Sequence, residues 1–114
     1  MTTVTEKSEE SLVKRITRSL LDIQILRLLK SSPMWGYKIK KTAETQFDIK
    51  LRHGALYPTL NCLDKKGYVT VEKQQVGGRA RKVYTLTRKG NEYLDRYYKV
   101  LKQQLKDEDL KPAK

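Results

Sequence analysis

Basic side chains cluster around a pair of glycines in the C-terminal half of the chain. Arg79, Arg81 and Lys82 follow Gly77 and Gly78 almost directly. Arginine suits phosphate because its planar fork donates two hydrogen bonds at once, and it also favours the focused negative potential of a narrow minor groove. A hairpin edge that is merely protected by charge is the alternative. The cluster therefore indicates binding to a phosphate backbone.

A second candidate surface lies on a segment with helical periodicity. Leu56, Leu60 and Leu63 form an inward stripe, so small or polar residues occupy the opposite side. Asn61 could pair with adenine and the preceding Arg52 with guanine, and a helix N-terminus itself favours phosphate. An ordinary solvated helix face would show the same pattern. By itself this helix is a weaker indication than the basic hairpin.

Charge supports a polyanionic ligand. The 114 residues include 25 Lys and Arg against 13 Asp and Glu, which gives a formal net charge of +12. The resulting isoelectric point near 9.9 lies beyond the usual threshold for suspecting a nucleic-acid-binding domain. A basic but merely solvated surface remains the alternative.

Residues for catalysis or metal binding are scarce. The single histidine, His53, has no cysteine or acidic cluster at metal-ligand spacing, and no Gly-rich phosphate loop ends in Lys-Ser/Thr. The lone Cys62 lies in an apolar helical run, which predicts a small buried packing residue in a reducing cytosol. There is no apolar run of membrane-spanning length and no signal-like start. We expect a cytoplasmic protein that is not an enzyme and has no cofactor or metal.

The elements that must position these residues follow from periodicity and turn signals. They predict a mainly α fold with a small antiparallel β-hairpin, that is, a winged helix-turn-helix with a long C-terminal helix. Thr87 is the predicted N-cap of that helix, and Gly77-Gly78 the predicted hairpin turn. The DNA-binding domain is predicted over 9–87, the last helix over 88–106, and disordered ends over 1–8 and 107–114. Inside the domain we predict helices at about 35–46 and 54–66 and strands at 68–75 and 80–86; whether 9–30 forms one or two helices stays open.

The final helix predicts a dimer. Its broad apolar stripe cannot wrap fully around the small core of so short a chain, so we expect it to pack against the apolar helix at about 20–29 of a partner subunit. Two-fold symmetry would place two DNA-binding units about 34 Å apart. Purely intramolecular packing is the alternative, and a flat aromatic ligand in the dimer cleft is a further one. The predicted dimer residues are Leu12, Ile16, Leu20, Ile23, Leu94, Tyr97, Tyr98, Leu101 and Leu105.

Three motifs in order resemble the PadR-like transcriptional regulators. Residues 33–39 are Pro-Met-Trp-Gly-Tyr-Lys-Ile, residues 54–60 are Gly-Ala-Leu-Tyr-Pro-Thr-Leu, and residues 78–87 are Gly-Arg-Ala-Arg-Lys-Val-Tyr-Thr-Leu-Thr with Gly90 following. The resemblance spans about 19–94 and implies a dimeric winged-helix regulator, commonly a repressor, that contacts DNA through its third helix and wing. Lys38 stands where an acidic residue is usual, and Ala55 where Thr or Ser is commoner. Some relatives bind aromatic compounds between subunits, sometimes with a tryptophan on the last helix, whereas Trp35 lies on the second.

The leading hypothesis is a homodimeric, sequence-specific regulator, with a repressor the more common case, that binds double-stranded DNA. A protein that coats DNA without reading sequence is the alternative, and a protein-interaction module built on the tyrosine-bearing helix is a third. The predicted DNA contacts are Tyr37, Lys38, Arg52, His53, Ala55, Tyr57, Pro58, Thr59, Asn61, Arg79, Arg81 and Lys82.

Overall fold

A computed structural model describes residues 4–47, 50–51 and 53–105. The described chain is mostly helical with one small antiparallel sheet, which confirms the predicted fold class. No helix in these ranges is long and apolar enough to cross a membrane. The elements in chain order are α1 (Val4–Ser19), α2 (Leu21–Leu29), β1 (Met34–Trp35), α3 (Gly36–Phe47), α4 (His53–Lys65), β2 (Val69–Val76), β3 (Arg79–Leu86) and α5 (Arg88–Gln104).

The N-terminal region forms two helices rather than one. Leu20 separates α1 from α2 with a non-helical backbone (φ −113°, ψ 33°). Helix α1 begins at Val4, so residues 4–8 are helical where the sequence predicted a disordered end. The physical reason is that the segment contains no Gly or Pro to interrupt the helix. The predicted disordered tail at 107–114 lies outside the described residues.

Helix α2 forms the centre of the core. Ile25 and Leu26 are fully buried, and α3, α4, α5 and β3 of the same chain all contact this helix. The prediction that a partner's last helix covers one side of α2 is therefore wrong, because α5 of the same chain does so. Its buried residues are Leu21, Ile23, Gln24, Ile25, Leu26, Leu28 and Leu29.

The sheet contains one strand more than the predicted hairpin. Its order is β1-β3-β2, with both pairings antiparallel. Strand β1 places the buried Met34 opposite the buried Tyr84, and Trp35 opposite Val83. The sequence did not predict β1 because two residues are too few to show alternation. This short strand connects the start of α3 to the middle of the hairpin.

The predicted N-cap of α5 is confirmed. The hydroxyl oxygen of Thr87 accepts a hydrogen bond from the Gly90 N–H at 3.0 Å. The same hydroxyl donates to the Gly67 carbonyl at 2.7 Å, and the Thr87 N–H donates to the Tyr68 carbonyl at 3.1 Å. A Cβ at position 90 would overlap the Tyr68 carbonyl oxygen. The start of α5 is thus fixed against the turn that follows α4.

Gly90→Ala tests this close contact. We expect the free energy of unfolding to fall by about 1–3 kcal/mol, because a backbone group rather than a flexible side chain must move to admit the methyl group. Urea denaturation measures the change. Gly54→Ala is the matched control, since a Cβ there meets nothing within 4 Å in a helix. The control should leave stability unchanged or raise it by up to about 1 kcal/mol; a Gly90→Ala protein as stable as the control would contradict the contact.

Candidate nucleic-acid interface

Helix α4 presents a face of small and polar residues to solvent. Leu56 and Leu60 are fully buried, whereas Ala55, Pro58 and Asn61 are exposed. The helical period places these two sets on different sides of one helix. The small side chains of Ala55 and Pro58 allow a close approach to base edges, and the Asn61 amide can both donate and accept there.

Pro58 lies in the second turn of α4. A helix tolerates proline best in its first turn, where the missing N–H would have no partner in the helix. Pro58 has no N–H, so the carbonyl of Gly54 lacks the donor that a helix normally supplies four residues later. Thr59 is half-buried, and its hydroxyl donates to the Ala55 carbonyl at 2.8 Å. The Thr59 oxygen therefore remains usable mainly as an acceptor.

Tyr57 packs across the start of α3. A Cβ at Gly36 would lie 3.2 Å from a ring carbon and from the hydroxyl oxygen of Tyr57, so a larger residue there would make a tight contact with this side chain. The Tyr57 side chain nevertheless keeps 39% of its surface exposed. Tyr57 thus helps to fix α4 against α3 as well as belonging to the predicted contact surface.

The wing, defined as β2, β3 and their turn, has the predicted geometry at its tip. Gly77 (φ 60°) and Gly78 (φ 79°) both adopt positive φ angles, and Val76 pairs with Arg79 across the two-residue turn. Residues other than glycine rarely adopt these backbone angles, which explains why two glycines form the turn. Arg79 and Lys82 are exposed next to this turn.

Arg81 is less exposed than the other two cations of the predicted basic cluster, because it packs against an aromatic ring. Its guanidinium carbon lies 3.5 Å from the centre of the Trp35 ring. Within the described residues its Nε is buried and has no hydrogen-bond partner. Trp35 was not among the predicted site residues, because the stack arises only when β1 pairs with β3. The sequence contained only one hint of this stack, the aromatic residue Trp35. Its strand, β1, is too short for periodicity to reveal.

The start of α3 adds an aromatic and a basic group. The Tyr37 ring is half-exposed and lies 5.3 Å from the Trp35 ring. The Lys41 ammonium lies 5.5 Å from the centre of the Tyr37 ring, and Lys38 is exposed nearby in the helix. Arg52 and the His53 side chain lie outside what the structure describes, although α4 itself begins at His53.

The predicted dimer residues fall into two groups. Ile23 and Leu94 are only 3% and 0% exposed in the single chain. Their prediction as interface residues needs correcting, because they already belong to the core. Leu20 and Tyr97 are partly buried against that core. The remaining residues predicted for the dimer are exposed by 40–53%, as is Val100 on α5: Leu12, Ile16, Tyr98, Leu101 and Leu105.

Cys62 is exposed, which corrects its predicted burial. Together with Pro58 and Leu63 of α4, it lines an open groove of about 540 Å³ between α4 and the α1–α2 junction. Asp22 and Lys66 also line this groove. Among the described residues, no three His, Cys, Asp or Glu side chains are grouped to hold a metal ion.

Burial also affects one titratable group in β3. The pKa of the Tyr84 phenol is raised above the ordinary tyrosine value, first by burial and then by the neighbouring Tyr57 and Asp64. The neutral phenol is thus the form that the folded protein favours. At neutral pH Tyr84 contributes as an uncharged core residue.

Comparisons with known proteins agree with this architecture. The model of the transcriptional regulator PadR-like family matches residues 25–96. A PadR family regulator from Clostridium difficile is 26% identical, with a TM-score of 0.64, covering 74% of this chain and 92% of that one. A PadR family regulator from Eggerthella lenta is 26% identical, with a TM-score of 0.66, covering 85% and 88%.

A third similar structure supports the fold alone. A transcriptional regulator from Clostridium thermocellum is 24% identical, with a TM-score of 0.70, covering 80% of this chain and 91% of that one. No curated protein sequence gives a significant match to this chain.

Tyr84→Phe tests the buried phenol. Since the folded state raises the Tyr84 pKa, the unfolded chain ionises first as pH rises beyond the ordinary value of about 10. The free energy of unfolding of the natural chain should therefore fall more steeply above about pH 10 than that of Tyr84→Phe, by at most about 1.4 kcal/mol per pH unit. Urea titrations from pH 8 to 11.5 measure both slopes. Parallel curves would show that the phenol is not protected from ionisation.

Proposed function

The chain belongs to the PadR-like family of transcriptional regulators, and we propose that it binds a near-palindromic double-stranded DNA site as a homodimer and represses transcription there. The observation that carries this proposal is the exposed face of α4, which is small or polar at Ala55, Pro58 and Asn61, in a chain of net charge +12 with a basic wing. The fold and the family are those of transcriptional regulators rather than of an enzyme class.

In the proposed complex α4 enters the major groove. Asn61 is exposed on its outer face and can pair with adenine through two hydrogen bonds. Ala55 and Pro58 are small enough to let the helix approach the bases. The wing supplies the sequence-independent part through its exposed cations Arg79 and Lys82, which suit phosphate.

Exposed apolar side chains on α1 and α5 support the proposed homodimer. Leu12 and Ile16 on α1 are 53% and 48% exposed, and Leu101 and Leu105 on α5 are 40% and 49% exposed. Burying such residues against a second copy stabilises the pair by removing apolar surface from water. A two-fold dimer would present two α4 helices about 34 Å apart to successive turns of DNA.

Repression is the mode of regulation that we propose, because a dimer bound across a promoter excludes other proteins from it. Its proposed place of action is the cytoplasm, where it meets DNA. A small aromatic effector stays a prediction, since the cleft that would hold it forms only between two copies.

A coating protein that ignores sequence is a second candidate, and the net charge of +12 favours it. The affinity for a selected duplex relative to a random duplex, measured at one salt concentration, separates the two functions. A ratio of at least about 10³ is expected for a sequence-specific regulator. A ratio near one would support coating.

Asn61→Ala tests the proposed base contact. We expect it to reduce discrimination at one base pair by about 1–3 kcal/mol, since a bidentate pair is lost. Binding to single-base variants of the selected site measures this loss. Arg79→Ala is the contrast, because a phosphate contact should weaken all sequences alike. If Asn61→Ala lowered every affinity equally, Asn61 would not be a base contact.

Leu101→Asp tests the dimer. A charge within an apolar contact should shift the protein toward monomer and weaken binding to the two-fold site by more than about tenfold. Sedimentation equilibrium and DNA titration measure the two effects. Gln103→Asp introduces the same charge at an exposed position of α5 that is not among the predicted dimer residues, and should leave both unchanged. A dimer that tolerates Leu101→Asp would place the interface elsewhere.

A further inference from the structure

Arg81 is held differently from its neighbours in the wing. Its Cζ lies 3.5 Å from the centre of the Trp35 ring, and the residue is half-buried while Arg79 and Lys82 are exposed. This distance corresponds to direct stacking, well inside the usual range for a cation over an aromatic face.

The stack follows from the register of the sheet. Trp35 in β1 lies opposite Val83 in β3, and Arg81 lies two residues from Val83 on the same face of that strand. Such diagonal neighbours are within reach of long and aromatic side chains. Gln74 in β2 lies opposite Arg81 on its other side. The contact is therefore built into the sheet.

The stacked guanidinium retains unused donors. Stacking occupies the flat face of the group, whereas its hydrogen bonds form in its plane. Nε is buried, so a ligand must approach the two terminal nitrogens. In the described part of the chain no carboxylate forms an ion pair with Arg81. The ion pair observed there joins Arg88 to Glu92. An oriented cation without a counter-charge is suited to an anionic ligand.

We propose that Trp35 is a positioning residue for DNA binding: it orients the terminal nitrogens of Arg81 toward a phosphate of the DNA backbone. This inference rests on the DNA binding proposed above. A side chain that is ordered beforehand loses less entropy on binding, so the stack raises affinity without contacting DNA itself. The adjoining Tyr37 ring, 5.3 Å from Trp35, and the Lys41 ammonium over Tyr37 extend the arrangement from the wing to α3.

The stack can be tested in the free protein. Trp35 is the single tryptophan of the chain, so tryptophan fluorescence reports the surroundings of this one ring. Arg81→Ala should uncover one face of the ring and raise the acrylamide quenching constant by about 1.5-fold or more. Lys82→Ala removes a neighbouring cation outside the stack and should leave quenching unchanged. Equal quenching in all three proteins would overturn the stack.

A double-mutant cycle then tests the role in binding, with the selected duplex and a random duplex of equal length as probes. Arg81→Ala should weaken both and lower the salt slope by about one unit. Trp35→Ala should weaken both by about 3- to 10-fold. In the Arg81→Ala background, Trp35→Ala should add less than about twofold, because the two residues act as one unit. Trp35→Phe keeps an aromatic face and should stay within about twofold of the natural chain.

Two outcomes would overturn the inference. If the losses of affinity caused by Trp35→Ala and Arg81→Ala multiplied in the double variant, the two residues would act independently. If Trp35→Ala bound DNA with unchanged affinity, the ring would have no role in binding. If Trp35→Ala does not fold, as judged by circular dichroism, Arg81→Lys decides. It keeps the charge but loses the planar group, and should bind about 3- to 10-fold more weakly with an unchanged salt slope; undiminished affinity would overturn the proposal.

Failure of the underlying function is distinguishable from failure of this inference. If the natural chain did not bind either duplex at low salt, the proposed DNA binding itself would be wrong. If the natural chain binds and the Trp35 variants behave like it, only the positioning role is wrong.

Discussion

At the base of the wing, the first turn of α5 packs backbone to backbone against Tyr68. Gly90 permits this approach because it has no Cβ, and the Thr87 hydroxyl holds the same turn through one accepted and one donated hydrogen bond. The Tyr68 ring then stacks on Tyr93 one turn later, with 4.4 Å between ring centres. These contacts fix the direction in which α5 leaves the DNA-binding domain. The distance between two α4 helices in the proposed dimer therefore depends on them.

The charge of the chain is largely uncompensated. Against a net charge of +12, the ion pair found in the described residues is the exposed Arg88–Glu92 contact within α5, which contributes little to stability. Cations that repel one another destabilise the compact free protein, and a polyanion relieves this repulsion. The same imbalance implies strongly salt-dependent binding. In the proposed complex, affinity and sequence selectivity therefore come from different residues: the basic wing for the first and the outer face of α4 for the second.

Local signals predicted the features that one element determines by itself. The Gly77-Gly78 turn and the Thr87 cap follow from backbone chemistry, and the leucine stripe of α4 follows from its period. The features that were missed need two elements at once. Strand β1 forms because Met34 and Trp35 pair with β3. The stacking of Arg81 on Trp35 depends on that pairing. The burial of a residue could not be predicted where the element that packs against it was unknown. Cys62 is exposed beside a groove. Ile23 and Leu94, in contrast, are buried within the single chain. Nothing in their residue types distinguishes these cases.

The two-residue turn between β2 and β3 limits how this hairpin can change in length. Side chains alternate between the two faces of β3, so Tyr84 faces the core while Arg81 lies against Trp35 on the other face. Inserting a single residue within β3 between these positions would put one of them on the wrong face. Inserting two residues in each strand would keep both the alternation and the pairing with β2, and would extend the tip by about 7 Å. Natural variation in this hairpin is therefore expected in even steps, and reach toward the double helix would change by discrete amounts.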